Sequence, residues 1–382
     1  MKWLWVTIAL FVVTAVYVLP AIAEVGVSES EITLGQSAAL EGPTKALGIG
    51  MRAGMHAYFA YINDQGGVNG RKINLISYDD GYEPERCIEQ TRRLIDEGVF
   101  ALIGYVGTPT AKAAVPIAEE AKIPFVGSFT GAEFLRNPVK HYVINVRGSY
   151  FDETEALVKY LTEKRGKSKI ACFYQNDSYG QAGLAGVKKA LDKRGMAMAG
   201  EGTYERNTLA VKGGVARIKT AGADAVIMIG AYAPCAEFIK VAKQVGMTDT
   251  TFCNISFVGS DALREALGPD GEGVIISQVV PFPGDKSLSL VAEYHKLLAQ
   301  YAPQQKPGFV SLEGFMVAKL FVEMAKAGGS DLTREGLIGT LEKQGKFDLD
   351  GVTLKFGSND HQGMDTINLT IIQGGEFKPL SM

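Results

Sequence analysis

Three hydroxyl side chains follow short apolar runs early in the chain: Thr108 in Gly104-Tyr105-Val106-Gly107-Thr108-Pro109, then Ser128 and Thr130 after Phe125-Val126-Gly127. Neutral hydroxyls beside the free backbone N–H groups of a helix start suit a carboxylate. Thr108 before Pro109 reads as the N-cap of such a helix, with proline at its first position. Farther along, Asp177, Tyr179, Tyr232 and Asp261 bring rings for apolar contact and carboxylates able to pair an ammonium group. With Leu47 and Gly107 they outline a site for a small molecule carrying both charges, an amino acid. The competing reading is that Thr108 only caps its helix while Tyr179 and Tyr232 only pack surfaces.

Other chemistries find less support. Gly48-Ile49-Gly50-Met51-Arg52-Ala53 matches G-x-G-x-x-A, and Asp79 and Asp80 end the next strand, as in a dinucleotide-binding fingerprint. The loop from Ala39 to Gly50 is, however, far longer than the tight turn that brings a pyrophosphate onto a helix end. A Gly-rich loop entering a buried helix is the simpler reading. The chain contains no H-E-x-x-H, G-x-S-x-G, P-loop or C-x-x-C pattern, so no catalytic motif argues for an enzyme. His56, His141, His295 and His361 stand far apart and read as packing or surface residues. Cys87, Cys172, Cys235 and Cys253 are too few and scattered for a disulfide scaffold. All four are expected as free thiols, because Cys235 should open a helix at the top of a sheet while Cys253 enters a strand at the bottom.

The elements that must carry these residues alternate. Strands are expected at Ile32–Ala39, Ile73–Tyr78, Phe100–Ile103 and Ile123–Val126, with Met51, Met55, Tyr58, Phe59 and Ile62 on one face of an intervening helix. After a crossing near Val143–Arg147 the pattern restarts with strands at Lys169–Tyr174, Met198–Tyr204, Ala225–Ile229 and Phe252–Val258. This βαβα order implies an α/β fold of two similar Rossmann-like lobes with parallel sheets. A second crossing follows at Gln278–Pro283, where two prolines forbid helix; helices are expected at about 287–301, 309–327 and 333–344, then strands at Val352–Phe356 and Ile367–Ile372. The domains read as 24–145 with 281–348, and 146–280 with 349–382, joined by a three-segment hinge over a cleft. In both lobes the candidate residues fall beyond the carboxyl ends of strands, where open α/β sheets bind ligands.

Composition agrees with two folded domains: with 382 residues, 46% hydrophobic and 21% charged, and 39 basic against 42 acidic side chains, nothing in it suggests disorder or a nucleic-acid-binding face. Lys2, the apolar run Trp3–Leu19, Pro20 and Ala21-Ile22-Ala23 read as a secretory signal (residues 1–23) cut after Ala23. The alternative is an uncleaved membrane anchor, for which the run is at the short end.

Three stretches carry a resemblance: "INDQGGVNGRKINLISYDDGYEP", "ALIGYVGTPTAKAAVPIAEEAKIPFVG" and "FYQNDSYGQAGLAG". They resemble the leucine/isoleucine/valine-binding branch of the periplasmic substrate-binding proteins of ABC transporters, over nearly the whole mature chain and more weakly after about residue 285. The resemblance implies a type I periplasmic binding fold, a flytrap that closes on its solute. It implies a periplasmic, monomeric, non-enzymatic protein without cofactor or metal, which passes a branched-chain or other apolar amino acid, or a related small carboxylate, to an inner-membrane permease. A ligand-sensing role, or binding of amides, urea or aromatic carboxylates, is the alternative it leaves open. It puts Thr108 and Thr130 on the α-groups of the ligand, Ser128 at a neighbouring backbone contact, Tyr179 and Tyr232 against its side chain, and Asp261 at the ammonium, with Ser256 or Ser260 there instead if the loop shifts by one residue. Leu47 stands where relatives often have an aromatic ring, and Tyr82 and Gly107 where some have a cysteine pair.

Overall fold

Apolar runs that stop at a glycine or a turn make strands covered on both faces, and they build two sheets. The computed structural model describes residues 24–381; the expected leader lies outside the described residues. The first sheet is wholly parallel, in the order β2-β1-β3-β4-β5, from β1 (Glu31–Ala38), β2 (Lys72–Asp79), β3 (Ala101–Ile103), β4 (Phe125–Val126) and β5 (Val143–Ile144). Helices α1 (Lys45–Asp64), α2 (Pro84–Asp96) and α3 (Thr108–Glu120) connect its first four strands.

The chain then crosses into α4 (Tyr150–Lys159), β6 (Ile170–Gln175), α5 (Ser178–Asp192), β7 (Glu201–Tyr204), α6 (Lys212–Thr220), β8 (Ala225–Ile229), α7 (Tyr232–Gln244), β9 (Thr251–Asn254), α8 (Ser260–Leu267) and β10 (Ile275–Gln278). Helices α9 (Ser289–Tyr301), α10 (Phe309–Ala327) and α11 (Arg334–Gln344) follow, then the small pair β11 (Lys346–Asp348) and β12 (Thr353–Lys355). Finally β13 (Asn368–Gln373) and β14 (Glu376–Leu380) return antiparallel to the second sheet, whose order is β14-β13-β10-β9-β8-β6-β7. The result is a two-lobe α/β fold with crossings at 145–149, 279–288 and 356–367. Among the described residues, no helix is long and apolar enough to cross a membrane.

Several strands are shorter than expected: β4 begins only at Phe125 and β12 runs only from Thr353 to Lys355. β9 stops at Asn254, and Ser256–Val258 form a 3-10 turn ended by Gly259 at φ +78°. β7 begins only at Glu201. Strands β5, β10, β11 and β14 lie outside the expected set: β5 opens the stretch expected as a crossing, β10 runs straight into the Pro281-Pro283 segment, and the other two are short.

Helix α1 holds the front of the first lobe because its backbone touches that of α10. A Cβ on Gly54 would lie 1.9 Å from the Ser311 carbonyl oxygen, and one on Gly314 would lie 2.2 Å from that of Met51. The Tyr58 and Phe315 rings meet edge to face at 5.0 Å beside this contact. The G-x-G-x-x-A match lies inside α1 and is not a strand-to-helix turn, so the phosphate-cradling geometry is absent there. All four cysteines are free and buried. Buried His361 spans the Val143 carbonyl at 3.0 Å and Glu342 at 3.1 Å, as a packing residue would.

Candidate functional site

The turn before α3 needs glycine. Gly107 sits at φ +112°, and a Cβ there would lie 2.2 Å from Tyr82 Cε2. Gly107 is therefore the N-cap, and the expectation that Thr108 caps the helix is corrected: Thr108 is already helical, and no side chain caps this end. Its hydroxyl is thereby released to the lobe seam. Thr108 Oγ1 lies 2.7 Å from Thr130 Oγ1 and 3.3 Å from the Tyr150 hydroxyl, and Thr130 Oγ1 donates to that same hydroxyl at 3.2 Å. All three are buried, and burial pushes the Tyr150 phenol up to about 12. Tyr150 is held by a capping box at the start of α4, in which Ser149 Oγ accepts from Asp152 N–H and Asp152 Oδ2 accepts from Ser149 N–H. Close by in sequence, Ser128 Oγ is buried without a hydrogen-bond partner among the described residues.

Rings from both lobes close over this hydroxyl cluster. Tyr179 packs 5.6 Å from Tyr150 and 4.3 Å from Phe257, while Phe257 lies 5.4 Å from Phe129 and 6.0 Å from Tyr82. Tyr82 adopts φ +63°, disfavoured for so bulky a residue. Asp80 supports that turn by accepting from Tyr82 N–H at 2.8 Å and from Ser37 Oγ at 2.7 Å. Burial pushes the Asp80 carboxyl up to about 6. Asp177 does not reach the cluster as a free acid: it caps α5, accepts from Tyr179 N–H at 2.9 Å and pairs with Arg206 at 3.0 Å.

Behind the rings lies a buried charge cluster. On the first crossing, Arg147 Nη2 donates to Glu313 Oε2 on α10 at 3.0 Å and to Ser256 Oγ at 2.8 Å, and its Nε is 2.9 Å from Glu313 Oε1. Glu153, on α4, accepts from Ser256 N–H at 2.7 Å, Ser256 Oγ at 3.0 Å and Ser277 Oγ at 2.6 Å. Burial pushes Glu313 up to about 7 despite the guanidinium, and raises Glu153 as well. Burial works against the Arg147 charge, yet Glu313 and Glu153 outweigh it and raise its pKa. Arg147 Nη1 is left without a partner among the described residues, although its guanidinium also lies 4.3 Å over the Phe129 ring.

The remaining candidates lie elsewhere along the seam. The Tyr232 hydroxyl accepts from Ala46 N–H at 3.5 Å, and Leu47 presses on the second lobe so closely that a Cβ on Gly259 would meet its Cδ2 at 2.5 Å. Leu47 and Asp261 line a cavity of about 310 Å³ with Arg264, Gln304 and Lys306, apart from the threonines. There Asp261 accepts from Phe309 N–H at 3.0 Å, and burial raises its pKa. Of the three residues considered for the ammonium contact, Ser256 alone joins the buried cluster, and Ser260 is bonded to Gln278. At the outer lip Arg206 pairs with Glu83 at 2.8 Å, and Asn207 donates to Glu83 at 2.7 Å and to the Gly81 carbonyl at 3.1 Å. Tyr82, Phe129, Arg147, Tyr150, Glu153, Phe257 and Glu313 are absent from the site expected from sequence. Only Tyr150 left a local signal, the Ser149-x-x-Asp152 cap ahead of an apolar helix.

Two α/β lobes whose strand ends face each other across a polar, aromatic seam beneath three crossings define a bilobal solute-binding protein. Residues 31–376 match the family described as Periplasmic binding protein, and the chain belongs to that family. Its fold matches the crystal structure of a possible leucine/isoleucine/valine-binding protein from Rhodopirellula baltica SH 1, with 37% identity, 94% of this chain and 98% of that one covered, and a TM-score of 0.88. A substrate-binding periplasmic protein from Ralstonia solanacearum is 26% identical over 90% of this chain and 98% of its own, at a TM-score of 0.85. The leucine-, isoleucine-, valine-, threonine- and alanine-binding protein of Pseudomonas aeruginosa is 23% identical over 81% of this chain and 82% of its own.

Proposed function

We propose that this is an exported, monomeric and non-catalytic solute receptor that delivers a branched-chain or other apolar amino acid, or a related small carboxylate, to an ABC permease. The lobes in this reading are residues 24–145 with 281–348, and 146–280 with 349–382, the last boundary moving to the crossing at 356–367 because β12 pairs with β11. The observation that carries it is the buried Thr108–Thr130–Tyr150 hydroxyl cluster at the lobe seam, with the unpartnered Ser128 Oγ close by in sequence. Hydroxyls there can bind the oxygens of a carboxylate, and Tyr179 supplies apolar contact. Closure follows if the solute bonds to both lobes better when they are together. The names of the relatives support the amino-acid class.

A second reading is favoured by one observation. The buried carboxylates Glu153 and Glu313 already hold partners of their own, and Asp261 lines a different cavity. An acid without an α-ammonium group needs no such partner. A thermal-shift screen of ligand-stripped protein separates the two, since a solute at 100 times its Kd stabilises by about 2.7 kcal/mol. Shifts with leucine, valine or phenylalanine support the first reading, and shifts with their 2-oxo acids or benzoate alone support the second. No shift with any of them overturns both.

A further inference from the structure

We propose that Phe257 is a built-in occupant of the interlobe pocket, and that its ring must swing away before a solute can enter. The inference rests on the solute-binding reading above. Phe257 is fully buried and bridges the lobes, with Tyr82 and Phe129 on one side and Tyr179 on the other. The neighbouring void lined by Phe129, Arg147, Ser256 and Glu313 measures about 10 Å³, room for one water at most. Solute sites usually hold ~300 Å³ or more. The larger cavities, of about 550, 310, 630 and 310 Å³, are not lined by Thr108, Ser128, Thr130 or Tyr179. Phe257 packs on Tyr179 at 4.3 Å, and Tyr179 packs on Tyr150 of the hydroxyl cluster at 5.6 Å, so in this reading the ring takes the place of a solute beside that cluster.

The ring supplies apolar contact but no hydrogen bond, and Ser128 Oγ and Arg147 Nη1 are two of the buried polar atoms without a hydrogen-bond partner among the described residues. A solute that replaces the ring and satisfies a polar atom gains what Phe257 cannot give. The backbone can accommodate the movement: Phe257 sits in a 3-10 turn beyond the end of β9, closed by Gly259 at φ +78°. Two consequences follow. Phe257 holds the lobes together without solute, and it lowers apparent affinity by the fraction of time it occupies the pocket. It also selects for solutes with an apolar body near the size of its ring.

The test compares ligand-stripped wild type with Phe257→Ala and the milder Phe257→Leu, by small-angle scattering and by calorimetry with phenylalanine, leucine and benzoate. Wild type is expected to be equally compact with and without solute. Phe257→Ala should expand when stripped, contract with solute, and bind the best probe roughly tenfold more tightly, the gain for a pocket open about a tenth of the time. If Phe257→Ala fails to fold, Phe257→Leu must show the same directions more weakly. Stripped wild type that is extended and contracts on adding a probe overturns the inference while upholding the solute reading. A variant as compact as wild type, with unchanged affinity, also overturns it. If no probe binds either protein but only the variant expands, the inference stands and the solute class proposed above fails.

Discussion

Thr108 shows how a single side chain can be misread by its neighbours. Before Pro109 it has the grammar of a cap, yet Gly107 takes that place at φ +112° and the hydroxyl goes to Thr130 and Tyr150. Thr130 lies at the centre of that network, so Thr130→Ala should weaken solute binding about two- to tenfold, the worth of one hydrogen bond, with the fold intact by circular dichroism. Unchanged affinity in titration calorimetry would remove Thr130 from the site. Asp80 gives a second residue-level expectation. Its carboxyl is raised by burial from 3.8 to about 6, so between those values the folded chain keeps a proton that the unfolded chain has lost. Its contribution is complete below pH 3.8 and disappears as pH rises through 6, a change of up to ~3 kcal/mol. Urea titrations of wild type against Asp80→Asn should show wild type losing ground across that window. A constant difference would mean that Asp80 titrates as an ordinary carboxylate.

Elements were the most legible level, because each buried parallel strand is a short apolar run ended by glycine or a turn. β8 is found at Ala225–Ile229 as expected, and β1 and β3 are found with ends displaced by a single residue. An apolar run need not remain a strand to its end. Phe252 to Val258 is almost continuously apolar, but β9 stops at Asn254, and that early stop is what puts Phe257 between the lobes. The charge cluster was illegible for another reason: Arg147 and Glu313 are 166 residues apart, and no local spacing joins them. Asp261 lies in a cavity apart from the hydroxyl cluster, and the position of a turn decides that Ser256 reaches Arg147. Helix packing gives the test at this scale. Gly54→Ala sets a methyl 1.9 Å from the Ser311 oxygen, so α1 and α10 must separate and the denaturation midpoint should fall by the equivalent of ~2 kcal/mol or more. A midpoint equal to wild type would show that this seam adapts freely.

At the scale of the whole molecule, the seam is fastened at both margins. Near the crossings Arg147 holds Glu313 and Ser256 in a buried knot. At the lip Arg206 and Asn207 hold Glu83 in a partly exposed clasp. Exposed ion pairs contribute only ~0.2–1 kcal/mol, so Arg206→Ala should raise the solute dissociation rate by a few fold in stopped-flow measurements, and added salt should do much the same to wild type. Equal rates in the variant and wild type at low salt would mean that the lip takes no part in closure. The four buried cysteines have a use beyond packing. Burial raises every thiol, Cys253 to about 12, so at neutral pH almost none is present as the reactive thiolate. Alkylation of the native protein is therefore a clock for breathing of the chain: Cys87 on α2 times the first lobe, and Cys172 and Cys253 on β6 and β9 time the second. Mapping which cysteine is capped first would reveal which half of the molecule opens sooner, with no foreign dye attached.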